Sequence, residues 1–250
     1  MNALQYLRDI PVVFINVESS VKKREQFMRG NGQLFDTIYR LPASPIVDVA
    51  QEAHEWRSLV SETKANRDDL GMFTKVNVFL AKDKTLERES KQHEYAATFS
   101  LYRSVMAALL FFLNNTHWDR MMLMEDDALP RLQLLSQIGP PPSDADLIVW
   151  GGAISMGAHN YDDTLFIQKK AAAWKPIKNP RNRYIATAYE MTRKGALEQF
   201  RALQEHPHAV DCSWWYTMAS VTSVALSPVG FVQYGQSDRI NTVKNGRYER

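Results

Sequence analysis

The sequence predicts an α/β fold, an open sheet flanked by helices within a single domain. Three observations predict it. Short apolar runs at 11–17 (PVVFINV), 121–124 (MMLM) and 147–152 (LIVWGG) have the length and composition of buried strands. A helical apolar stripe runs through AATFSLYRSVMAALLFFLNN at 96–115. Strand and helix patterns then alternate through most of the chain, the order expected of a sheet covered by helices.

The bulk properties set bounds. A chain of 250 residues suits one large domain, and a hydrophobic share of 45% is enough to build its core. A net charge of +2 forces neither an acidic nor a basic partner. The single cysteine, Cys212, excludes an internal disulfide framework and a cysteine-based zinc site; it reads as a buried or idle thiol. The first residues lack the basic start and long apolar core of a secretory signal. The longest apolar run, Val105 to Leu113, is well short of the roughly 20 residues a membrane helix needs. The expectation is a chain without a transmembrane segment, cytoplasmic by default, and compatible with work at the inner face of a membrane.

Each element follows from local pattern. The strand at 11–17 runs into Glu18-Ser19-Ser20, a helix start, and VKKREQFMRG reads as a helix closed by Gly30. Residues 42–95 are polar and broken early by Pro42 and Pro45; the stretch 45–93 reads as an insertion or lid made of helices and loops. In the helix at 96–115, Phe99, Tyr102, Met106, Leu109, Leu110 and Leu113 share a core face, and Asn114-Asn115 end it. Strand 121–124 follows. LQLLSQIGPPPSDAD is a short helix stopped by prolines, and LIVWGG is a strand ending on Gly151-Gly152. YIATAYEMT (184–192) alternates, with Ile185, Thr187, Tyr189 and Met191 on one side. RKGALEQFRALQ is a helix with Ala196, Leu197, Phe200 and Leu203 inward, and 224–234 is the last strand-like region. The domain spans 1–243; residues 244–250 form a basic tail.

The chemistry concentrates where the strand MMLM meets Glu125, Asp126 and Asp127. Three adjacent carboxylates repel, so bases, a proton or a cation must compensate them. A hard divalent ion takes oxygen ligands, so Mg²⁺ or Mn²⁺ suits this set and zinc does not. If the strand continues, Glu125 and Asp127 share a face and Asp126 points away. An acid-x-acid pair so arranged can hold a metal against a nucleotide diphosphate, as Lewis acid and template together. The plainer alternative is a solvated loop or helix cap. A related one is a hydrolase in which an Asp binds Mg²⁺ beside a phosphate. Glu18-Ser19-Ser20 and Gly151-Gly152 also lie at strand ends, where open α/β sheets bind ligands.

Four blocks, in order, resemble glycosyltransferase family 25, which includes lipooligosaccharide and procollagen galactosyltransferases. VFINVESSVKKREQF resembles the family's opening strand, polar turn and Arg-rich helix. EYAATFSLYRSV resembles its E-x-G-C-x-x-S-H block, with Glu94 and Ser100 at the matching positions. MLMEDDALP resembles its L-E-D-D-A block, and AYEMTRKGALEQF its A-Y-x-x-S-x-x-G-A block, followed by Val210-Asp211 in place of P-V-D. The chain departs from the pattern at Ala96, Ala97 and Leu101, where the family has Gly, Cys and His.

The resemblance implies a GT-A-like, Rossmann-type mixed sheet, a nucleotide-sugar donor (usually a UDP-sugar) and inversion at the anomeric carbon. It implies Asp127 as main ligand of Mn²⁺ or Mg²⁺, with Glu125 second, through water or toward the donor ribose, and Asp126 in support. Asp211 is the candidate base, with a helix N-cap as its alternative role. Asn16 and Ser19 would lie near the nucleotide. Arg24 would reach a phosphate or remain a solvated helix residue. Glu94 and Ser100 would position their helix or serve as core polar pairs. His206, His208 and Asp238 are spare candidates, and Trp214 and Trp215 could offer a sugar platform or pack in the core.

The implied acceptor is a glycan or lipid-linked oligosaccharide such as lipooligosaccharide. A second is DNA: Lys175, Lys178, Arg181 and Arg183, with Lys244, Arg247 and Arg250 of the tail, could track phosphates, as in a phage-type enzyme acting on hydroxymethylated bases. A third reading is a glycan- or nucleic-acid-binding module without turnover.

Overall fold

The structure is a computed structural model that describes residues 1–62, 89–153, 173–177, 184–207, 210–227 and 229–233. In chain order the elements are α1 (Ala3–Arg8), β1 (Val12–Asn16), α2 (Val21–Asn31), β2 (Ile38–Pro42), α3 (Val49–Glu62), α4 (Glu89–Asn115), β3 (Arg120–Glu125), β4 (Ala128–Pro130), α5 (Leu132–Gln137), β5 (Leu147–Ala153), β6 (Ala173–Pro176), β7 (Tyr184–Thr192), α6 (Arg193–Glu205), α7 (Val210–Ser220), β8 (Ser223–Ser227) and β9 (Phe231–Gln233). The mixed α/β class expected from the sequence is the class observed.

The main sheet runs β2-β1-β3-β7-β5-β8-β6, with β4 and β9 forming a short pair that joins it through β5. β1 lies between β2 and β3 and is parallel to both. β7 is antiparallel to β3 and β5; β5 and β8 are parallel, and β6 closes that edge antiparallel to β8. Register decides where the site falls. Asn16 is opposite Pro42, and Ile15 is opposite Glu125, so β1, β2 and β3 all end at one level.

Apolar residues cover both faces. One core packs Val13, Met121, Leu123, Tyr189 and Met191 of the sheet against Trp56, Leu109, Phe112, Leu203 and Trp214 of α3, α4, α6 and α7. The other packs Phe14, Met122, Met124, Ile148 and Trp150 against Leu7, Phe27 and Leu135 of α1, α2 and α5. The central strands therefore bury both sides. β7 carries Thr187, Tyr189 and Met191 inward as expected, but Ala188 and Glu190 are buried too.

Several local expectations are corrected. The helix α2 does not stop at Gly30; it runs to Asn31 with Gly32 as its cap, and Gly30 sits inside it where a Cβ would come 2.7 Å from Leu129 Cδ2. Gly151 and Gly152 do not end β5. They lie within it, at a register shift where a Cβ on Gly151 would stand 2.9 Å from the Phe231 carbonyl oxygen of β9. The stripe on α4 is rotated: Tyr95, Tyr102, Val105, Leu109 and Phe112 are buried, Phe99, Met106 and Leu113 are partly so, and Leu110 is exposed. On α6, Ala196 and Leu203 point inward as expected, while Leu197 is exposed and the polar Gln199 is buried. Within α4, Gln92–Asn115 is long and apolar enough to cross a membrane by length and composition. Its buried face packs on α3, α6 and the sheet, which is the position of a core helix.

One polar network lies inside the second core. Glu190, fully buried on β7, accepts from the Tyr6 hydroxyl at 2.5 Å, Arg120 Nη1 at 3.0 Å and Trp150 Nε1 at 3.0 Å. It ties α1, β3 and β5 to the middle of the sheet.

Candidate functional site

The site is built on the carboxyl ends of β1, β2 and β3. β3 stops at Glu125, and Asp126 and Asp127 form the turn that leads into β4. The alternation expected to put Glu125 and Asp127 on one face does not extend through this turn. The three carboxyls instead separate according to their neighbours.

Asp126 faces β1. Its Oδ2 accepts from Asn16 Nδ2 at 2.8 Å, and its Oδ1 pairs with Lys23 Nζ at 3.2 Å. Asn16 is buried and committed within the protein: its Nδ2 also reaches the Ser20 carbonyl, and its Oδ1 accepts from Arg40 Nε at 3.1 Å. This pattern orients the amide unambiguously. Arg40, on β2, uses its Nη2 on Glu18, which holds the Glu18 carboxyl below its ordinary range. Glu18, Arg40, Asn16, Asp126 and Lys23 thus form one continuous polar chain across three strand ends.

Glu125 faces the other way, toward β9, where its Oε2 accepts from Gln233 Nε2 at 2.7 Å. Its charge helps push the buried Tyr189 hydroxyl well above the usual range, after burial itself. Asp127 is the least satisfied of the three. Its Oδ1 is buried and accepts no hydrogen bond among the described residues. Burial raises its carboxyl above the ordinary value; Asp126 adds to this, while Lys23 and a backbone contact oppose it. A buried carboxylate oxygen without a donor is costly, and it is a natural place for a cation.

The loop after β2 completes the rim. Ala43 N donates to the Asn16 carbonyl at 3.0 Å. One face of α4 then fixes this loop: Ser100 Oγ donates to Ser44 O at 2.5 Å, Ser104 Oγ accepts from Ser44 N at 2.8 Å, and Arg103 reaches Pro45 O and the buried Glu52. Ser100 therefore supports the site through the loop. Glu94 is exposed on the same helix, with its carbonyl accepting from Thr98.

Other expected residues are placed as follows. Ser19 is exposed in the β1–α2 turn, and Arg24 is half-buried on α2 within electrostatic reach of Glu18. Asp211 lies in the first turn of α7, after Val210, so it is inside the helix and does not precede it; its side chain is outside the described residues. His206 caps α6 and stacks on Tyr216 at 4.1 Å. Trp214 is fully buried, edge-on to Tyr189 at 4.0 Å, and packs in the core. Lys175 is exposed on β6, at the sheet edge opposite β2. His208, Lys178, Arg181, Arg183, Asp238, the tail 244–250 and the side chains of Cys212 and Trp215 lie outside the described residues, as does most of the 45–93 segment, of which α3 and the start of α4 are described.

Lys23, Arg40 and Gln233 are site residues that sequence reasoning missed. Lys23 was visible only as one charge in KKRE, and nothing local marked Arg40 or Gln233. Among the described residues no group of three or more His, Cys, Asp or Glu converges as a complete metal site. The donors at the turn are all hard oxygens, of which the orphaned Asp127 Oδ1 fits a divalent cation best. Comparison of the chain with protein-family models and with curated proteins finds no match.

Proposed function

We propose that the protein is a metal-dependent, inverting glycosyltransferase with a GT-A-like domain. It would move a sugar from a nucleotide donor, a UDP-sugar by preference, to a hydroxyl of a glycan such as lipooligosaccharide. The observation that carries the reading is the acidic turn at the carboxyl ends of β1 and β3. There, buried Asn16 and the cation Lys23 hold Asp126 in place, while Asp127 keeps a buried oxygen without a donor. Strand ends of this kind are where open α/β sheets receive ligands.

In this reading Asp127 would hold Mn²⁺ or Mg²⁺ through its orphaned oxygen, Glu125, turned toward β9, would act through water or toward the donor ribose, and Asp126, fixed from β1, keeps the turn in shape. Such an ion would supply positive charge to the leaving diphosphate. The chain's own residues do the rest. Asn16, locked by Arg40, sets the floor of the donor side, and the loop fixed by Ser100 and Arg103 forms its rim. Asp211, in the first turn of α7, takes the proton of the acceptor hydroxyl.

The test combines binding and turnover. UDP and UDP-sugars should raise the melting temperature only when Mn²⁺ or Mg²⁺ is present, because they bind the folded state alone. Asp127→Asn should abolish that metal-dependent part and slow donor turnover by about 10²-fold or more, the scale of several kcal/mol of charge stabilisation. Glycan acceptors and DNA with hydroxymethylated bases, offered side by side, identify the acceptor. If no nucleoside diphosphate shifts the transition with either metal, or if Asp127→Asn transfers sugar at full rate, the reading is wrong.

A further inference from the structure

We propose that Lys23 is a built-in counter-cation, which holds the acidic turn when no divalent ion is bound and competes with that ion, so that helix α2 sets the site's metal affinity. This rests on the reading of the turn as a metal site.

Three features of the geometry lead to it. Asp126 is nearly enclosed, with 12% of its side chain exposed, and its two oxygens have different kinds of partner. One is held at 2.8 Å by Asn16, which is buried and cannot leave without abandoning Arg40 and the Ser20 carbonyl. The other is held at 3.2 Å by Lys23, whose side chain is 54% exposed on the first turn of α2. The first contact is fixed by the other partners of Asn16; the second belongs to an exposed, flexible stem that can yield to another cation. Among the described ion pairs, Lys23 is the cation joined to the turn, while Arg40 is committed to Glu18 and Asn16.

The charge of Lys23 also reaches beyond its partner. Asp126, its partner at 3.2 Å, is flanked in the chain by Glu125 and Asp127, so the ammonium acts on all three carboxylates of the turn. One ammonium thus partly neutralises the carboxylates that a divalent ion would have to engage. Any cation arriving at Asp127 meets its repulsion. Removing that charge should strengthen metal binding.

The experiment is a titration of the purified full chain with Mn²⁺ alone and Mg²⁺ alone, followed calorimetrically, on the wild type, Lys23→Met and Lys23→Arg. Lys23→Met should bind Mn²⁺ roughly three- to tenfold more tightly, the discounted scale of one exposed charge acting on a divalent ion. The gap should narrow in high salt. Lys23→Arg, which keeps the charge, should match the wild type. Without metal, Lys23→Met should melt lower than the wild type, and Mn²⁺ should raise its transition by more. If the wild type binds Mn²⁺ and Lys23→Met binds it equally or more weakly, or if Lys23→Arg tightens as much as Lys23→Met, the counter-cation role is overturned while the metal reading stands. If wild type and variants all fail to bind either ion, both fall together.

Discussion

At the scale of single residues the acidic turn sets stability against the metal binding proposed for it. Asp127 keeps one oxygen buried without a donor, next to Asp126 and Glu125, and burial pushes its carboxyl upward. In the resting fold Lys23 and a backbone contact favour that charge, but burial outweighs them. Replacing a carboxylate that has one buried oxygen without a donor by a neutral amide of the same shape removes a penalty of about 1 kcal/mol. In a chain of this size each kcal/mol moves the melting temperature by about 2–4 °C. Asp127→Asn should therefore melt about 2–4 °C above the wild type in chelator, and the order should reverse in saturating Mn²⁺; differential scanning calorimetry under both conditions reads it. A lower transition for the variant in chelator would mean that the carboxylate makes a stabilising contact. Part of this site was legible. Three acids after an apolar run stand out in any sequence, and Asn16 stood at the end of a clear strand. Lys23, Arg40 and Gln233 did not stand out, because each is defined by a partner on another element. Lys23 meets Asp126, Arg40 meets Asn16 and Gln233 meets Glu125 only once the sheet is assembled.

At the scale of elements, legibility followed burial. β1, β3 and β5 are apolar runs and β7 alternates, and all four were read directly. α1, β2 and β6 were not: α1 is a single short helix held by an Asn2–Gln5 capping box, and β2 and β6 are edge strands with partly exposed residues. Their sequences carry no strong period, so only pairing with a neighbour makes them strands. The glycines of β5 show the same limit. Gly151 looked like a strand terminus, yet its role is to let β9 approach, and β9 carries Gln233 to Glu125. Gly151→Ala would place a methyl 2.9 Å from the Phe231 carbonyl oxygen and 3.3 Å from Thr187 Cβ. Backbone is on one side and a central strand on the other, so β9 must shift. The expected cost is about 1–3 kcal/mol in urea denaturation. Because the shift moves Gln233, which holds Glu125, the proposed donor turnover should fall as well. A variant that lost stability but kept full turnover would separate β9 from the site.

At the scale of the whole molecule, two cores sandwich one sheet, and an acid enclosed in mid-sheet, Glu190, runs against that plan. β7 lies in mid-sheet with both faces covered, so Glu190, on the face opposite Tyr189 and Met191, is enclosed as well. It is tolerated because Tyr6, Arg120 and Trp150 all donate to it, which also fastens α1 to strands far from it in sequence. Burial still raises its carboxyl above the ordinary glutamate range, despite Arg120 and the three hydrogen bonds. The sign of its effect follows. A folded-state value above the unfolded one means that the native chain binds the proton more tightly. Its contribution to stability is then complete below the ordinary glutamate range and is lost as pH rises through the raised native value. Glu190→Gln, which does not titrate, removes this slope together with the Arg120 charge pair. Unfolding free energies of wild type and variant, measured by urea denaturation from about pH 4 to pH 8, should therefore diverge in one direction. The wild type should lose ground to the variant as pH rises, by at most about 1.4 kcal/mol per pH unit, and the difference should level off once Glu190 is ionised in the native state. A difference that stays flat, or that moves toward the wild type with rising pH, would mean that Arg120, Tyr6 and Trp150 outweigh burial and keep the carboxylate charged throughout.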